Sequence, residues 1–257
     1  MQHRILVTND DGVEGEGLIV LANALAELGD VTVVAPDRDR SGVGHALSIH
    51  DPVRVQQLKH RDVQTFACTG TPADCVVIGS FDLCGGLPSL VVSGINRGAN
   101  LGDDVNYSGT VAAAIEGALV GVPSIAISLA ATWPEFSREH HWQSAVEAVL
   151  RVSGDVLRDG MAPRTYLNVN VPNHPASEIN GLRWTRQGRK KYGDRLDPRR
   201  DPRGGAYYWI WGSFDPAQIE DGTDLAAIRD RYVSVTPMNV DRTDLGALDA
   251  AAGAPLA

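Results

Sequence analysis

Long apolar runs are missing from this 257-residue chain. No stretch approaches the roughly 20 apolar residues that a membrane-spanning helix needs, so no span is expected. A basic excess is missing too, since the formal net charge is −9. Proteins that hold a long nucleic acid neutralise many phosphates with Lys and Arg, so polymer binding is set aside as the main role. One small phosphate ligand stays open, because a bound metal inverts the local field. Cysteine is scarce: Cys68, Cys75 and Cys84 cannot all pair, and no Cys-x-x-Cys occurs. They read as free, buried thiols of a reducing compartment. The N-terminus goes straight into a strand without a basic head and apolar signal core, and the expected location is the cytoplasm. The first turn carries no Gly-x-Gly-x-x-Gly, which removes the main support for a dinucleotide site.

What is present is a core-forming chain, 43% hydrophobic, of a length suited to one large α/β domain. Arg4 to Val7 is an apolar run ending in Thr8-Asn9-Asp10-Asp11-Gly12, and it reads as a buried strand closed by a turn. Leu18, Leu21, Leu25 and Leu28 recur at helix spacing, with Gly29 as a stop, and Val31 to Ala35 is a second strand. Strand, helix, strand at this spacing starts a parallel sheet. Val53–Val55 and Val63–Ala67 alternate like a hairpin. Thr71 suits an N-cap and Pro72 a first helical position, predicting a helix to about Phe81. Strands are expected at 90–93, 122–129, 166–172 and 232–237, and helices at 111–119 and 142–152. A short helix starts near Asp224. Residues 93–110, with several Gly and Asn, read as a long ordered loop, and loops of that length are usually functional.

From about Pro175 the composition changes. Nine Lys and Arg fall between Arg183 and Arg203, Lys191 among them, in an otherwise acidic protein. That patch reads as a solvated extension, an oligomer contact or a guide for an anionic substrate. Tyr207 to Trp211 looks like a strand at a subunit interface, where Trp and Tyr are enriched.

The chemistry gathers in loops that follow strands expected to share one sheet edge, where ligands of open α/β sheets bind. Two adjacent carboxylates, Asp10 and Asp11, repel unless they share a cation or keep a proton. With the Ser41 hydroxyl and the amides Asn96 and Asn9 they form a set of hard oxygen donors. Such a set suits one divalent cation, Mg²⁺, Mn²⁺ or Ca²⁺, and not a closed zinc site. Ser108-Gly109-Thr110 at a helix start offers backbone N–H groups and two hydroxyls to a phosphate, with the helix dipole behind them. An ordinary helix cap is the alternative. The charges Asp37, Arg38, Asp39 and Arg40 read as solvated surface. His140 and His141, adjacent on a helix, do not face one site and are not read as a metal pair. A hard cation beside a phosphate cradle points to phosphoryl chemistry, with Asp10 or Asp11 taking a proton from the attacking water.

Taken together, Ile5 to Gly12, Ala35-Pro36 through Ser41-Gly42, Gly70-Thr71-Pro72-Ala73-Asp74, Ser93-Gly94-Ile95-Asn96, Tyr107 to Val111 and Tyr232 to Pro237 resemble the SurE family of survival-protein nucleotidases, over nearly the whole chain. The resemblance implies a single α/β domain with a Rossmann-like three-layer core and a mostly parallel sheet, about residues 1–175. It also implies a C-terminal β-rich extension, about 176–240, used in oligomerisation; residues 247–257 read as a frayed tail. The activity implied is divalent-metal phosphatase action on nucleoside 5′- and 3′-monophosphates, with short polyphosphate as a further substrate of some members. Asp10, Asp11, Ser41 and Asn96 are the metal positions it implies, with Mg²⁺ or Mn²⁺ the cation. Asp10 and Asp11 are the expected catalytic residues, and Asn9, Gly42, Ser108, Gly109 and Thr110 the expected substrate contacts. The expected partners are the nucleotide and further copies of the chain, as a homodimer or homotetramer, and neither a membrane nor a long nucleic acid. A phospho-receiver domain and a haloacid-dehalogenase-type phosphatase lack matching acids here. A non-catalytic metal-dependent nucleotide sensor is the rival reading.

Overall fold

The computed structural model of the chain describes residues 2–59, 61–131, 139–190, 192–214 and 219–251. Its eleven strands are β1 (His3–Thr8), β2 (Gly29–Pro36), β3 (Val55–Leu58), β4 (Gln64–Cys68), β5 (Leu90–Arg97), β6 (Ser124–Ala130), β7 (Thr165–Pro172), β8 (Leu182–Trp184), β9 (Tyr192–Arg200), β10 (Ala206–Phe214) and β11 (Val233–Asn239). Nine of them form one sheet in the order β3-β4-β2-β1-β5-β6-β7-β11-β8. From β4 to β7 every neighbouring pair is parallel, while β3 and β11 enter antiparallel. The α/β class with a mostly parallel sheet is therefore the observed one.

Burial on both faces explains the central strands. In β1, Ile5, Leu6 and Val7 are all fully buried. Alternate residues point to opposite faces. Ile5 and Val7 pack with α1 (Glu16–Leu25) and α4 (Trp142–Asp159), through Leu18, Leu21, Ala145 and Val149. Leu6 packs on the other face with Cys75 and Val76 of α2 (Pro72–Ile78) and Ala113 of α3 (Gly109–Leu119). The three layers are thus helix, sheet, helix. All three cysteines, Cys68, Cys75 and Cys84, are free and buried in this second cluster with Leu6.

The order of the strands sets the site. The chain leaves β1 toward β2 on one side, and leaves β5, the other neighbour of β1, toward β6 on the far side. The carboxyl ends of β1 and β5 therefore flank a topological switch point, where α/β sheets open a crevice. A buried amide network holds the segment after β5 against the sheet. Asn100 N–H donates to Asn170 Oδ1 at 2.9 Å and Asn100 Nδ2 to Ser128 Oγ at 2.8 Å, while Asn168 and Asn170 both donate to the Asn100 carbonyl.

Several boundaries differ from the sequence reading. Residues 93–97 belong to β5: past a register shift, Asn96 and Arg97 pair with Ser128 and Leu129. The remaining connection contains a 3₁₀ turn, Gly102–Asn106. Gly29 opens β2 and does not end α1. The α2 helix stops at Ile78 and continues as a wider turn over Gly79–Leu83. The α4 helix runs to Asp159, closed by Gly160 at φ 75°. The tail is helical over Leu245–Ala251, as α6 following α5 (Asp224–Arg229), and residues 252–257 lie outside the described residues.

The charged stretch after Lys191, a residue outside those described, is strand β9. It pairs along its whole length with the aromatic β10 as a separate two-stranded antiparallel sheet. Cross-strand pairing has overridden the poor β propensity of Asp, Arg and Pro198. By contrast β8, α5 and β11 join the main body. Among the described residues no helix is long and apolar enough to cross a membrane.

Candidate active site

The end of β1 is the centre. Thr8 and Asn9 are fully buried and Asp10 is 4% exposed. Three other segments meet this loop. Arg40, after β2, donates its N–H to the Asp10 carbonyl at 2.8 Å. Arg97, ending β5, donates its N–H to Asp11 Oδ2 at 3.4 Å. Thr110, in the first turn of α3, donates its hydroxyl to Asp10 Oδ1 at 2.5 Å. Gly109 is required there, because a Cβ would stand 2.8 Å from that of Asp10. Gly94 is equally constrained on the β5 side, with φ +142° and the Ile127 carbonyl 2.3 Å from where a Cβ would be.

Burial raises the Asp10 carboxyl above its ordinary range, and the bonds from Thr110 pull it part of the way back. Asp11 is pushed up to about 6, by burial first and then by the charge of Asp10. Asp39 adds its field to both and is itself held low by its bonds from Ser41. The site therefore concentrates anionic groups in a partly dry crevice, which favours a shared cation.

The two amides are arranged alike. Asn9 Nδ2 donates to the Gly12 carbonyl and Asn96 Nδ2 to the Gly98 carbonyl, both at 2.9 Å. Each amide thus keeps its own oxygen for something else, and Asn9 Oδ1 is buried with no partner. Among the described residues no three His, Cys, Asp or Glu gather as a metal group, so any oxygen set here is the carboxylate pair completed by neutral oxygens. Ser41 follows Arg40 on the exposed side of the loop, its N–H donating to Asp39 at 2.7 Å. Gly42, at φ +74°, has open space around it.

At α3 the picture is sharper than the sequence suggested. Ser108 is the N-cap, its Oγ accepting from Val111 N–H at 3.1 Å. Thr110 gives its hydroxyl, and through its backbone further support, to Asp10. Thr110 therefore braces the carboxylate, its hydroxyl hydrogen being engaged by Asp10. The donors left at the helix start are the Ser108 O–H and the Gly109 N–H.

Other groups were missed from sequence. Arg40 was read as surface, yet its guanidinium reaches the Thr69 carbonyl at 2.5 Å, with Nε buried and unpartnered. Arg97 sits within the field of Asp11 and Asp39. The loop beyond Gly42 is tied down at four points. Gly44 N–H donates to the Tyr107 carbonyl at 3.1 Å, and His45 Nε2 meets Glu116 Oε2 at 2.8 Å. Thr71 Oγ1 donates to the Ala46 carbonyl at 2.7 Å, and Ser48 N–H donates to Asp74 at 3.0 Å. Thr71 and Asp74 also form the capping box of α2, so one pair of residues starts the helix and anchors the loop. Glu116, a lone acid among the small residues of α3, was the available signal. A cavity of about 380 Å³ between α4 and the sheet, lined by Arg151, Val156, Leu182 and Trp184, shares none of the residues above.

A family model described as "Survival protein SurE" matches residues 5–194. A protein of Syntrophotalea carbinolica named 5′-nucleotidase SurE is 48% identical, over 93% of this chain and 92% of its own length. One of the same name from Geobacter sulfurreducens is 46% identical, over 95% and 90% respectively. The crystal structure of the SurE protein from Aquifex aeolicus superposes with a TM-score of 0.83 at 41% identity, covering 96% of this chain and 97% of that one.

Proposed function

Because this chain belongs to the SurE family, we infer that its crevice is the active site of a phosphoric monoester hydrolase that acts on nucleoside monophosphates. The relatives named 5′-nucleotidase carry the class of reaction. The observation that carries it in this chain is the buried Asp10–Asp11 pair braced by the first turn of α3. The family's enzymes depend on a metal. One divalent cation per subunit, Mg²⁺ or Mn²⁺, fits Asp10, Asp11, Ser41 and Asn96, because raised carboxyls and free amide oxygens are what a hard cation satisfies. When bound, such a cation polarises a phosphoryl oxygen and acidifies water.

The chain's own groups do the rest. The Ser108 O–H and Gly109 N–H hold the phosphate at the positive end of α3, with Gly42 at the open side. Thr110 keeps Asp10 in place and biased toward its charged form. Asp10 or Asp11 accepts a proton from the attacking water. Asn9, expected to bind substrate, turns an acceptor oxygen to its surroundings. That oxygen suits the cation or its water shell better than an anion.

The two-stranded β9–β10 sheet exposes Leu196, Tyr208, Trp209 and Ile210, the last at 87%. An isolated hairpin is marginal in water, so a second copy covering it supports a homodimer or homotetramer built through the extension at about 176–240 on a core at about 1–175. Free cysteines support a cytoplasmic setting. Short polyphosphate and 3′-monophosphates are proposed as further substrates on the same phosphate chemistry.

The test is phosphate release from a panel of nucleoside monophosphates, first with EDTA and then with Mg²⁺ or Mn²⁺. Release that stops with chelator and returns with metal is expected. Metal-dependent binding without release would make the protein a sensor.

A further inference from the structure

Tyr107 precedes Ser108, the proposed phosphate donor, by one residue, and is 68% exposed. Its backbone, by contrast, is held at both ends. Tyr107 N–H donates to the Asp104 carbonyl at 3.0 Å, and its own carbonyl accepts from Gly44 N–H at 3.1 Å. The 3₁₀ turn leading to it is pinned from the C-terminal half of the chain. Gly102 N–H donates to Asp224 at 2.8 Å, Gln187 Nε2 donates to the Gly102 carbonyl at 2.9 Å, and Lys190 N–H donates to Asp103 at 2.8 Å. An aromatic ring kept in solvent on so firmly fixed a backbone loses little freedom when a ligand meets it.

The neighbouring loop adds apolar surface. Leu47 and Ile49 are 46% and 77% exposed, on the segment whose Gly44, Ala46 and Ser48 are tied to Tyr107, Thr71 and Asp74. Exposed apolar side chains thus stand on the turn and the loop tied to it, beginning one residue from the phosphate donors. Successive Cα atoms are about 3.8 Å apart. The residue that carries the ring therefore lies within the span of a single nucleotide from the phosphate donors.

We propose that Tyr107 determines specificity for nucleotides over simpler phosphate esters, its ring serving as the platform on which the base stacks while Ser108 and Gly109 hold the phosphate. The proposal rests on the nucleotidase reading above. Stacking on an aromatic face tolerates every base, because each has a π surface. Broad acceptance of bases and weak acceptance of baseless sugar phosphates follow.

The experiment compares wild type, Tyr107→Ala and Tyr107→Phe. It measures KM for a nucleoside 5′-monophosphate and Ki for ribose 5-phosphate as a competitor, with gel filtration of each variant. In Tyr107→Ala the ratio of KM to Ki is expected to rise about tenfold, while Tyr107→Phe stays close to wild type. Equal rises in KM and Ki, or an unchanged ratio, would overturn the platform and leave Tyr107 a structural residue of the turn. A change in assembly mass with an unchanged ratio would overturn it in favour of a contact between copies. Wild-type protein that releases no phosphate with any metal would remove the nucleotidase reading itself, and that result precedes any comparison of variants.

Discussion

Thr110 and Asp10 stand 100 residues apart in the chain and meet through a 2.5 Å hydrogen bond in the buried crevice. The bond joins the first turn of α3 to the end of β1, so the helix proposed to present the phosphate donors also holds the carboxylate. Both halves of the chemistry are thereby fixed to one another across the switch point.

Thr110→Val keeps the shape and removes the donor. A bond to a charged group contributes about 1.5–3 kcal/mol, so kcat/KM is expected to fall about 10- to 100-fold. Without the donor that favours its charged form, Asp10 rises further. The pH at which half-maximal Mn²⁺ affinity is reached should move upward, and calorimetric titrations across pH measure it. An unchanged pH profile would show the bond to be incidental.

Asp11 gives a prediction in which activity and stability part company. Its folded pKa of about 6 lies above the ordinary carboxylate value. The stability linked to its protonated form is present at low pH and is lost as pH rises through about 6. Metal-free protein is therefore strained at pH 7.5, and Asp11→Asn should raise its Tm in EDTA. The same variant should lose most of the Tm gain on adding Mn²⁺, and most of the activity. Asp10→Asn should abolish activity with the fold intact. Thermal melts with and without metal decide the matter, and a lower metal-free Tm for Asp11→Asn would count against the strained pair.

Ser108 caps α3 and is proposed to donate to the phosphate as well, and two substitutions separate the roles. Ser108→Ala loses both, with a stability cost of about 1 kcal/mol and a raised KM. Ser108→Asp retains a good cap at the positive end of α3 but sets a carboxylate against the phosphate. It should be as stable as wild type and nearly inactive. Urea midpoints paired with KM and kcat check this, and full activity in Ser108→Asp would remove Ser108 from the phosphate cradle.

Much of the architecture was legible because buried parallel strands read as near-continuous apolar runs. Ile5-Leu6-Val7 and Leu90-Val91-Val92 announce themselves this way. Thr71-Pro72 marked its helix start because a cap is chosen locally. Residues 93–97 hid as loop, since Ser, Gly and Asn have low strand propensity and only pairing with β6 makes them a strand. Strand β9 hid for the same reason, depending on β10 for its ladder. In the site, Asp10 and Asp11 were visible as neighbours in sequence. The brace from Thr110, and the His45–Glu116 contact over 71 residues, come from tertiary structure and leave no spacing to read.

Asp224 tests whether the C-terminal half shapes the crevice. It is fully buried at the start of α5 and accepts N–H bonds from Gly102, Gly188 and Leu225, each at 2.8 Å. Burial still raises its carboxyl, so the three bonds offset the loss of water only in part. Asp224→Asn must turn an NH₂ toward one of those donors, and Asp224→Ala leaves all three without a partner. A loss of about 1–3 kcal/mol is expected for the first and more for the second. Gly102 opens the turn that ends at Tyr107 and Ser108, so KM should rise as well, with kcat changing less. Urea denaturation and steady-state kinetics on Asp224→Asn measure both. A stability loss with KM unchanged would mean that the turn keeps its shape without the Asp224 bond, and that Gln187 and Lys190 suffice to hold it.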